Sequence, residues 1–225
     1  MINQLYHKIR KRTLVQKRRL IENTTGKNKG NILDVGCGTG AFLNTMKEAG
    51  WDATGIEPDQ SAREKALDLY GLHLDNSEKF YELPAQAFDA ITMWHVLEHV
   101  HDLHEYIDQL KKIVKPTGKL FIAVPNYTAY DAKVYKEFWA AYDVPRHLYH
   151  FSPASMKTLL NLHGMKIEKM KPMWYDSVYV SMLSEQYKTG KSNLLSALMV
   201  GCISNLKALF DIKKCSSVIY VASRI

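Results

Sequence analysis

Two acids and three glycines near the start of the chain have the types and spacing to hold a nucleoside. The run Asp34-Val35-Gly36-Cys37-Gly38-Thr39-Gly40 ends a short apolar segment and leads into a helical pattern. Glycines there let the chain turn sharply and let a ligand touch the backbone. The free N–H groups of the helix start can then receive a ligand's negative end. Glu57 comes 21 residues after Gly36, and a carboxylate there can accept two hydrogen bonds from the vicinal hydroxyls of a ribose. The ligand so described is of the adenosine type. A dinucleotide would set its pyrophosphate over this loop, where Asp34 repels it. The spacing is also G-x-G-x-G rather than G-x-G-x-x-G, and no P-loop lysine follows. S-Adenosylmethionine has no phosphate and carries a positive sulfonium and a positive amino group, so an acidic loop suits it.

From residue 30 onward, short apolar segments alternate with helical patterns. Strands are expected at Asn31–Val35, Asp52–Glu57, Leu72–Leu74, Phe88–Met93, Leu120–Val124, Met165–Met170 and Val218–Ala222. Phe42, Leu43, Met46 and Ala49 share one helix face before Gly50, and Pro58, Asp59 and Ser61 open a helix that ends at Tyr70-Gly71. Asp102 caps a third helix, with Leu103, Tyr106, Ile107, Leu110 and Ile113 in period, which Pro116 and Gly118 close. Ser152-Pro153 starts a fourth, and Gly164 ends it. Parallel neighbours need a crossover, so this alternation predicts an α/β fold, doubly wound around a mostly parallel sheet. Two stretches break it: residues 127–151, long and aromatic, and residues 186–214. Insertions of that length are usually lids or binding loops. The chain is thus read as one domain, 1–225: a basic helical arm (1–28), a cofactor-binding core (29–126), a substrate-side insertion (127–151), and a remainder (152–225) that completes the sheet around the helical insertion 186–214.

The 225 residues are 46% hydrophobic and 24% charged, which fills a core and excludes a disordered or collagenous chain. Cys37, Cys202 and Cys215 form no C-x-x-C pair, which argues for a reducing, cytoplasmic compartment. The net charge of +7 lies wholly in residues 1–20, and the remainder balances 23 basic residues against 23 acids. A neutral body argues against a nucleic-acid partner. Ile2, Leu5, Tyr6 and Ile9 fall at helical spacing, so the arm reads as a docked helix with a solvated basic face, and no apolar run follows it as in a signal peptide. Ser196, Ser204, Asn205 and Lys207 interrupt Leu194–Phe210, so no membrane span is expected. Its surplus of apolar positions leaves core packing, a homodimer contact, a cover for a hydrophobic substrate and a membrane-surface helix all open.

Taken together, Asp34–Gly40, Glu57, Phe88-Asp89-Ala90-Ile91-Thr92-Met93-Trp94-His95-Val96-Leu97-Glu98-His99-Val100 and Lys115-Pro116-Thr117-Gly118-Lys119-Leu120 resemble the class I S-adenosylmethionine-dependent methyltransferases. The resemblance is strong over residues 28–126 and is nearest to the branch of the ubiquinone-biosynthesis O-methyltransferases. It implies a seven-stranded Rossmann-like sheet of order 3-2-1-4-5-7-6 with the last strand antiparallel. It implies S-adenosylmethionine as cofactor, S-adenosylhomocysteine as product, and a cofactor site of Asp34, Gly36, Cys37, Gly38, Thr39, Gly40, Phe42, Glu57, Pro58, Met93, Trp94 and His95. Where the family often has an acid after strand three, this chain has Asp75-Asn76-Ser77-Glu78, and no residue is assigned to adenine.

Methyl transfer is an in-line displacement, and the enzyme's main task is to hold the nucleophile in a water-poor site. A hydroxyl nucleophile is helped by a base near neutral pKa, the natural role of histidine. Residues 127–151 leave the carboxyl end of strand five, beside the crevice where such folds bind ligands. They offer Tyr127, Tyr130, Tyr135, Trp139, Tyr142, Asp143, Arg146, His147, Tyr149 and His150. Tyr142, Arg146, His147 and His150 are expected at the acceptor, with His95 or His147 as base, and an arginine would favour a carboxylate or phosphate on it. The plain alternative is a structural Asp143–Arg146 pair in an insertion packed by its aromatics. His95-Val96-Leu97-Glu98-His99 also spells the H-x-x-E-H of certain zinc proteases. It starts directly after a strand, however, and has no assigned third ligand, so no metal is expected. The function expected is methylation of a small molecule at oxygen. A non-catalytic cofactor-sensing module and a nicotinamide-dependent oxidoreductase are the alternatives.

Overall fold

Branched residues and one buried acid make Asn31–Val35 (β1) the strand on which the glycine loop rests. The computed structural model describes residues 2–191 and 193–225, and of residues 2–9 the backbone alone. The expected docking of the Ile2, Leu5, Tyr6 and Ile9 side chains therefore lies outside the described residues. The chain divides into two compact units, one running through Trp94 and resuming at Asp108–Phe121, the other His95–Ile107 with Ile122–Ile225.

In the first unit, a helix of 24 residues, Ile2–Thr25 (α1), precedes β1. Ala41–Glu48 (α2), Asp52–Ile56 (β2), Gln60–Tyr70 (α3), the short Lys79–Glu82 (α4) and Phe88–Trp94 (β3) follow. β1 pairs in parallel with β2 on one side and β3 on the other, with Asp34 opposite Gly55 and Thr92. Buried Phe42, Leu43 and Met46 give α2 its inner face. Asp59 caps α3 by accepting from the Ala62 N–H, and Gly71, at φ 60°, ends it. The Asp89 carboxylate is gripped by Lys27, by Lys115 and by the Asn31 N–H.

In the second unit, Leu103–Ile113 (α5) begins and Val114–Pro125 (β4) ends. Then come Tyr130–Tyr135 (α6), Pro153–Leu162 (α7), Met165–Pro172 (β5), the helix pair Asp176–Thr189 (α8) and Leu194–Phe210 (α9), and Ser217–Arg224 (β6). Ser152 and Ser155 close a reciprocal capping box on α7. The aromatic insertion is held from within. Asp131, fully buried, accepts from Trp139 Nε1, Ser204 and Ser216.

The six strands form one mixed sheet in the order β2-β1-β3-β4-β6-β5, with β5 and β6 antiparallel. This corrects the expected count of seven; the order is otherwise the one the resemblance implied. The missing strand is Leu72–Leu74. Leu72 and Leu74 do pack with Leu43 and Ala66, but the segment lies between the left-handed stop at Gly71 and the turn at Asn76. Only Asp75 reaches backbone pairing, as an isolated bridge to Ile56. A second correction concerns Pro116 and Gly118. α5 already ends at Ile113, and β4 runs through both residues. A Cβ on Gly118 would lie 2.8 Å from the Phe88 carbonyl oxygen, so this glycine serves close strand approach rather than a helix stop.

Candidate active site

The glycine loop is drawn onto the tip of β2. The N–H groups of Gly36 and Cys37 both donate to the Ile56 carbonyl, at 2.7 and 3.1 Å. Gly36, Gly38 and Gly40 have φ of 67°, 54° and 76°, the left-handed region that glycine enters freely. A Cβ on Gly38 would meet nothing within 4 Å, whereas one on Gly40 would strike Leu72 at 2.9 Å. Gly38 is thus the half-buried, open lip of the loop and Gly40 its packed heel. Thr39 lies between them, and Pro58 follows Glu57 at the mouth of β2, its carbonyl tied by Arg63.

Two buried carboxylates face this loop. Asp34 accepts from the Thr92 hydroxyl at 2.6 Å. Burial pushes its pKa up to about 7, against the Thr92 hydrogen bond and the charge of Lys17 and with the help of Glu57. Glu57 takes the Gly38 N–H on one oxygen at 2.7 Å and the Asp59 N–H on the other at 3.0 Å. Each oxygen keeps a second lone pair for a ribose hydroxyl. The Cys37 thiol is held far above its ordinary pKa by burial and by Asp34 and Glu57, so it is no nucleophile.

Phe42 and Trp94 meet edge to face at 5.5 Å. The Lys17 ammonium of α1 lies 4.0 Å from the Trp94 ring centroid and 6.0 Å from that of Phe42. Sequence reasoning missed Lys17, assigning it to the solvated face. The available signal was its position one turn before Ile21, which is fully buried. Met93 is buried in β3. Trp94 Nε1 is buried and has no hydrogen-bond partner among the described residues. Two acids, an aromatic pair that already accepts a cation, an open glycine and an unpaired donor together fit a cationic nucleoside.

The other expected residues fall in the second unit. His95 begins it in the left-handed region, at φ 59°. Its ring lies between Glu98 Oε1, 3.2 Å from Nδ1, and Asp176 Oδ2, 2.9 Å from Nε2. Burial opposes its charge, but Asp176 and Glu98 outweigh burial and raise its pKa to about 10. His95 is therefore an imidazolium at neutral pH. His147 has the opposite character. Its Nδ1–H donates to the Ala141 carbonyl at 2.9 Å, and burial lowers its pKa. The ring is then neutral, with the Nε2 lone pair left over.

His95, Glu98, Arg146, His147 and Asp176 share the wall of a cavity of about 580 Å³ with Tyr179, Val180, Leu183 and Tyr187. Arg146 is exposed and sits 3.7 Å from Asp143. Tyr142 and His150 pack on one another at 5.1 Å beside the cavity and are not among its lining residues. Tyr135 and Trp139 are core residues. The H-x-x-E-H segment makes no long helix, because Leu97–His99 is a single 3-10 turn. Glu98, His99 and His147 do place one ligand atom each within 4.8 Å of the others. They are the group among the described residues whose spacing could hold a divalent cation.

The chain matches the methyltransferase-domain family model over residues 6–169. The ubiquinone biosynthesis O-methyltransferase of Nitrosococcus oceani is 31% identical over 184 residues, covering 76% of this chain and 75% of its own. A SAM-dependent methyltransferase from Archaeoglobus fulgidus superposes with a TM-score of 0.64 at 21% identity, covering 96% of this chain and 94% of its own. Phosphoethanolamine N-methyltransferase 2 of Haemonchus contortus, solved in complex with S-adenosyl-L-methionine, gives 0.61 at 17% identity, over 93% of this chain and 52% of its own. Neither the sensing-module nor the oxidoreductase reading is favoured by these likenesses. Together with the acid-lined glycine loop, they establish that the chain belongs to the methyltransferase-domain family and is a class I S-adenosylmethionine-dependent methyltransferase.

Proposed function

We propose that the protein methylates a hydroxyl group of a small-molecule acceptor, and that His147 is the base. The observation that carries this reading is the state of the two candidate histidines. One is clamped as a cation between carboxylates, and the other is neutral, its Nε2 beside a cavity and 3.9 Å from Asp143 Oδ2. In the first unit, Glu57 would hold the ribose hydroxyls, Gly38 the backbone contact, and Asp34 with the Phe42–Trp94 pair the positive end of the cofactor. Lys17 would meet its carboxylate. S-Adenosylmethionine, when bound, supplies a methyl group already activated on a positive sulfur.

The second unit supplies the acceptor side. His147 Nε2 would take the hydroxyl proton as the oxygen becomes a nucleophile, with Nδ1–H fixed on Ala141 so that the ring keeps one tautomer. His95, charged and with both ring N–H groups already given to Glu98 and Asp176, is fitted neither to accept a proton nor to donate to the acceptor. Exposed Arg146 can swing to a carboxylate or phosphate on the acceptor. The name of the Nitrosococcus oceani relative supports oxygen as the methylated atom.

The test is release of S-adenosylhomocysteine over a panel of phenolic and carboxylated hydroxy acceptors. His147→Ala should lower kcat by about a hundredfold or more while cofactor affinity stays within about twofold. In the native enzyme the rate should fall as pH drops through a value below that of an ordinary imidazole. Equal losses of kcat and cofactor affinity would make His147 structural and overturn the assignment.

A further inference from the structure

The α8–α9 pair carries an outer surface that the methyl-transfer reading does not use. Leu195, Met199, Leu206, Leu209 and Phe210 of α9 are exposed by 74%, 58%, 55%, 67% and 87%, and Leu194 and Leu198 extend the same stripe. On a helical period these positions cover one side, while Ala197, Gly201, Ser204 and Ala208 occupy the packed side. The stripe contains no charged residue and is about 25 Å long. A contiguous apolar face of that size is rare on a surface with no partner. Exposed Trp174 borders it. Against its middle lies a notch of about 300 Å³ lined by Trp174, Cys202, Asn205, Leu206 and Leu209.

The charges around the stripe identify the occupant. Lys188 and Lys191 lie before α9, and Lys207 and Lys213 lie at its far end, all of them exposed; Lys214 beside them is paired with Asp211. The acids of the same segment are directed elsewhere. Asp176 is on His95, Glu185 is buried against Tyr135 and Ser196, and Asp211 pairs with Lys214. A second copy laid along the stripe would set lysines against lysines in either direction. An anionic lipid surface meets both features: leucines and phenylalanine enter the acyl boundary, the Trp174 ring sits at headgroup level, and lysines reach the phosphates. Among the described residues no helix is long and apolar enough to cross a membrane, so the contact is in the plane of the interface.

We propose that α9, with Trp174 beside it, is an interfacial helix that docks the enzyme on an anionic lipid bilayer. The docking does not depend on the identity of the acceptor.

Flotation of the full chain with vesicles of phosphatidylcholine alone, and of phosphatidylcholine mixed with phosphatidylglycerol, tests this. Binding is expected to the mixed vesicles and to weaken in high salt. The triple variant Leu195→Gln, Leu209→Gln, Phe210→Gln should bind them at least about tenfold less well. Its thermal melt should be unchanged, because the three side chains are largely in solvent. Lys188→Gln with Lys191→Gln, Lys213→Gln and Lys214→Gln should remove the preference for anionic over neutral vesicles. A probe on exposed Cys202 should shift to shorter wavelength on docking. Absence of vesicle binding, or equal binding by the triple variant, would overturn the proposal. So would a dimer in sedimentation that the triple variant converts to monomer without any lipid contact.

Discussion

Glu57 holds the glycine loop and is the proposed partner of the ribose. Its two oxygens already hold the Gly38 and Asp59 N–H groups, so its removal would free the loop as well as remove the proposed ribose contact. Glu57→Ala should weaken cofactor binding by about 1–3 kcal/mol; calorimetry with S-adenosylmethionine measures it, and a change near zero would take Glu57 out of the site. At Gly38 the φ of 54° and the open space beside the Cα place a side chain where the ligand's backbone contact belongs. Gly38→Val should abolish cofactor binding and leave the sheet intact, which calorimetry and circular dichroism read separately. The meeting of Glu57 with the glycine loop was legible in the sequence because spacing and residue type sufficed. Lys17 was not, because its use depends on which side of α1 faces β3. The contrast between His95 and His147 was hidden for a similar reason: Asp176 lies 81 residues from His95 in the chain.

At the scale of elements, helix starts and stops written in local chemistry were readable. Ser152-Pro153, Asp59 and Gly71 all act as their residue types suggest. Elements that depend on non-local pairing were harder. Leu72–Leu74 has strand composition but too little room between Gly71 and Asn76 to extend a ladder, and Pro116-Thr117-Gly118 reads as a turn while lying inside β4. The helix pair α8–α9 was legible only as an insertion, since its apolar surplus did not say which side is covered. Packing between α2 and β2 yields a further expectation. A Cβ on Gly55 would lie 2.6 Å from both Leu43 and Leu74 and 2.9 Å from Cys37. Gly55→Val should therefore cost about 1–3 kcal/mol by overpacking, seen as a lower melting temperature, and should loosen cofactor binding through Cys37.

For the molecule as a whole, two aspartates give opposite responses to pH. Asp34 keeps its proton to about pH 7 when folded, against an ordinary value of 3.8. Folding therefore takes up a proton between those values, and this group's contribution to stability falls as pH rises across that window. Asp89 responds the other way. Burial would raise its pKa, but hydrogen bonds from Lys115, Lys27 and Asn31 hold it at about 2. Its contribution is present above the ordinary value and is lost as pH falls toward 2. Asp34→Asn should flatten the decline in stability between pH 4 and 7 for the protein without cofactor, as followed by denaturant melts at several pH values. The same link makes the affinity for the positively charged cofactor rise with pH up to about 7, since binding favours the ionised carboxylate. An affinity independent of pH would show that Asp34 does not meet that charge.

The backbone at His95 has a bearing on mutagenesis. Its φ of 59° is a dihedral that alanine takes up only at a penalty. An alanine scan through this stretch would confound a kinked main chain with the vanished ring. Asparagine tolerates that conformation, and swapping it in would isolate the chemistry of the imidazole from the geometry of the bend that carries it.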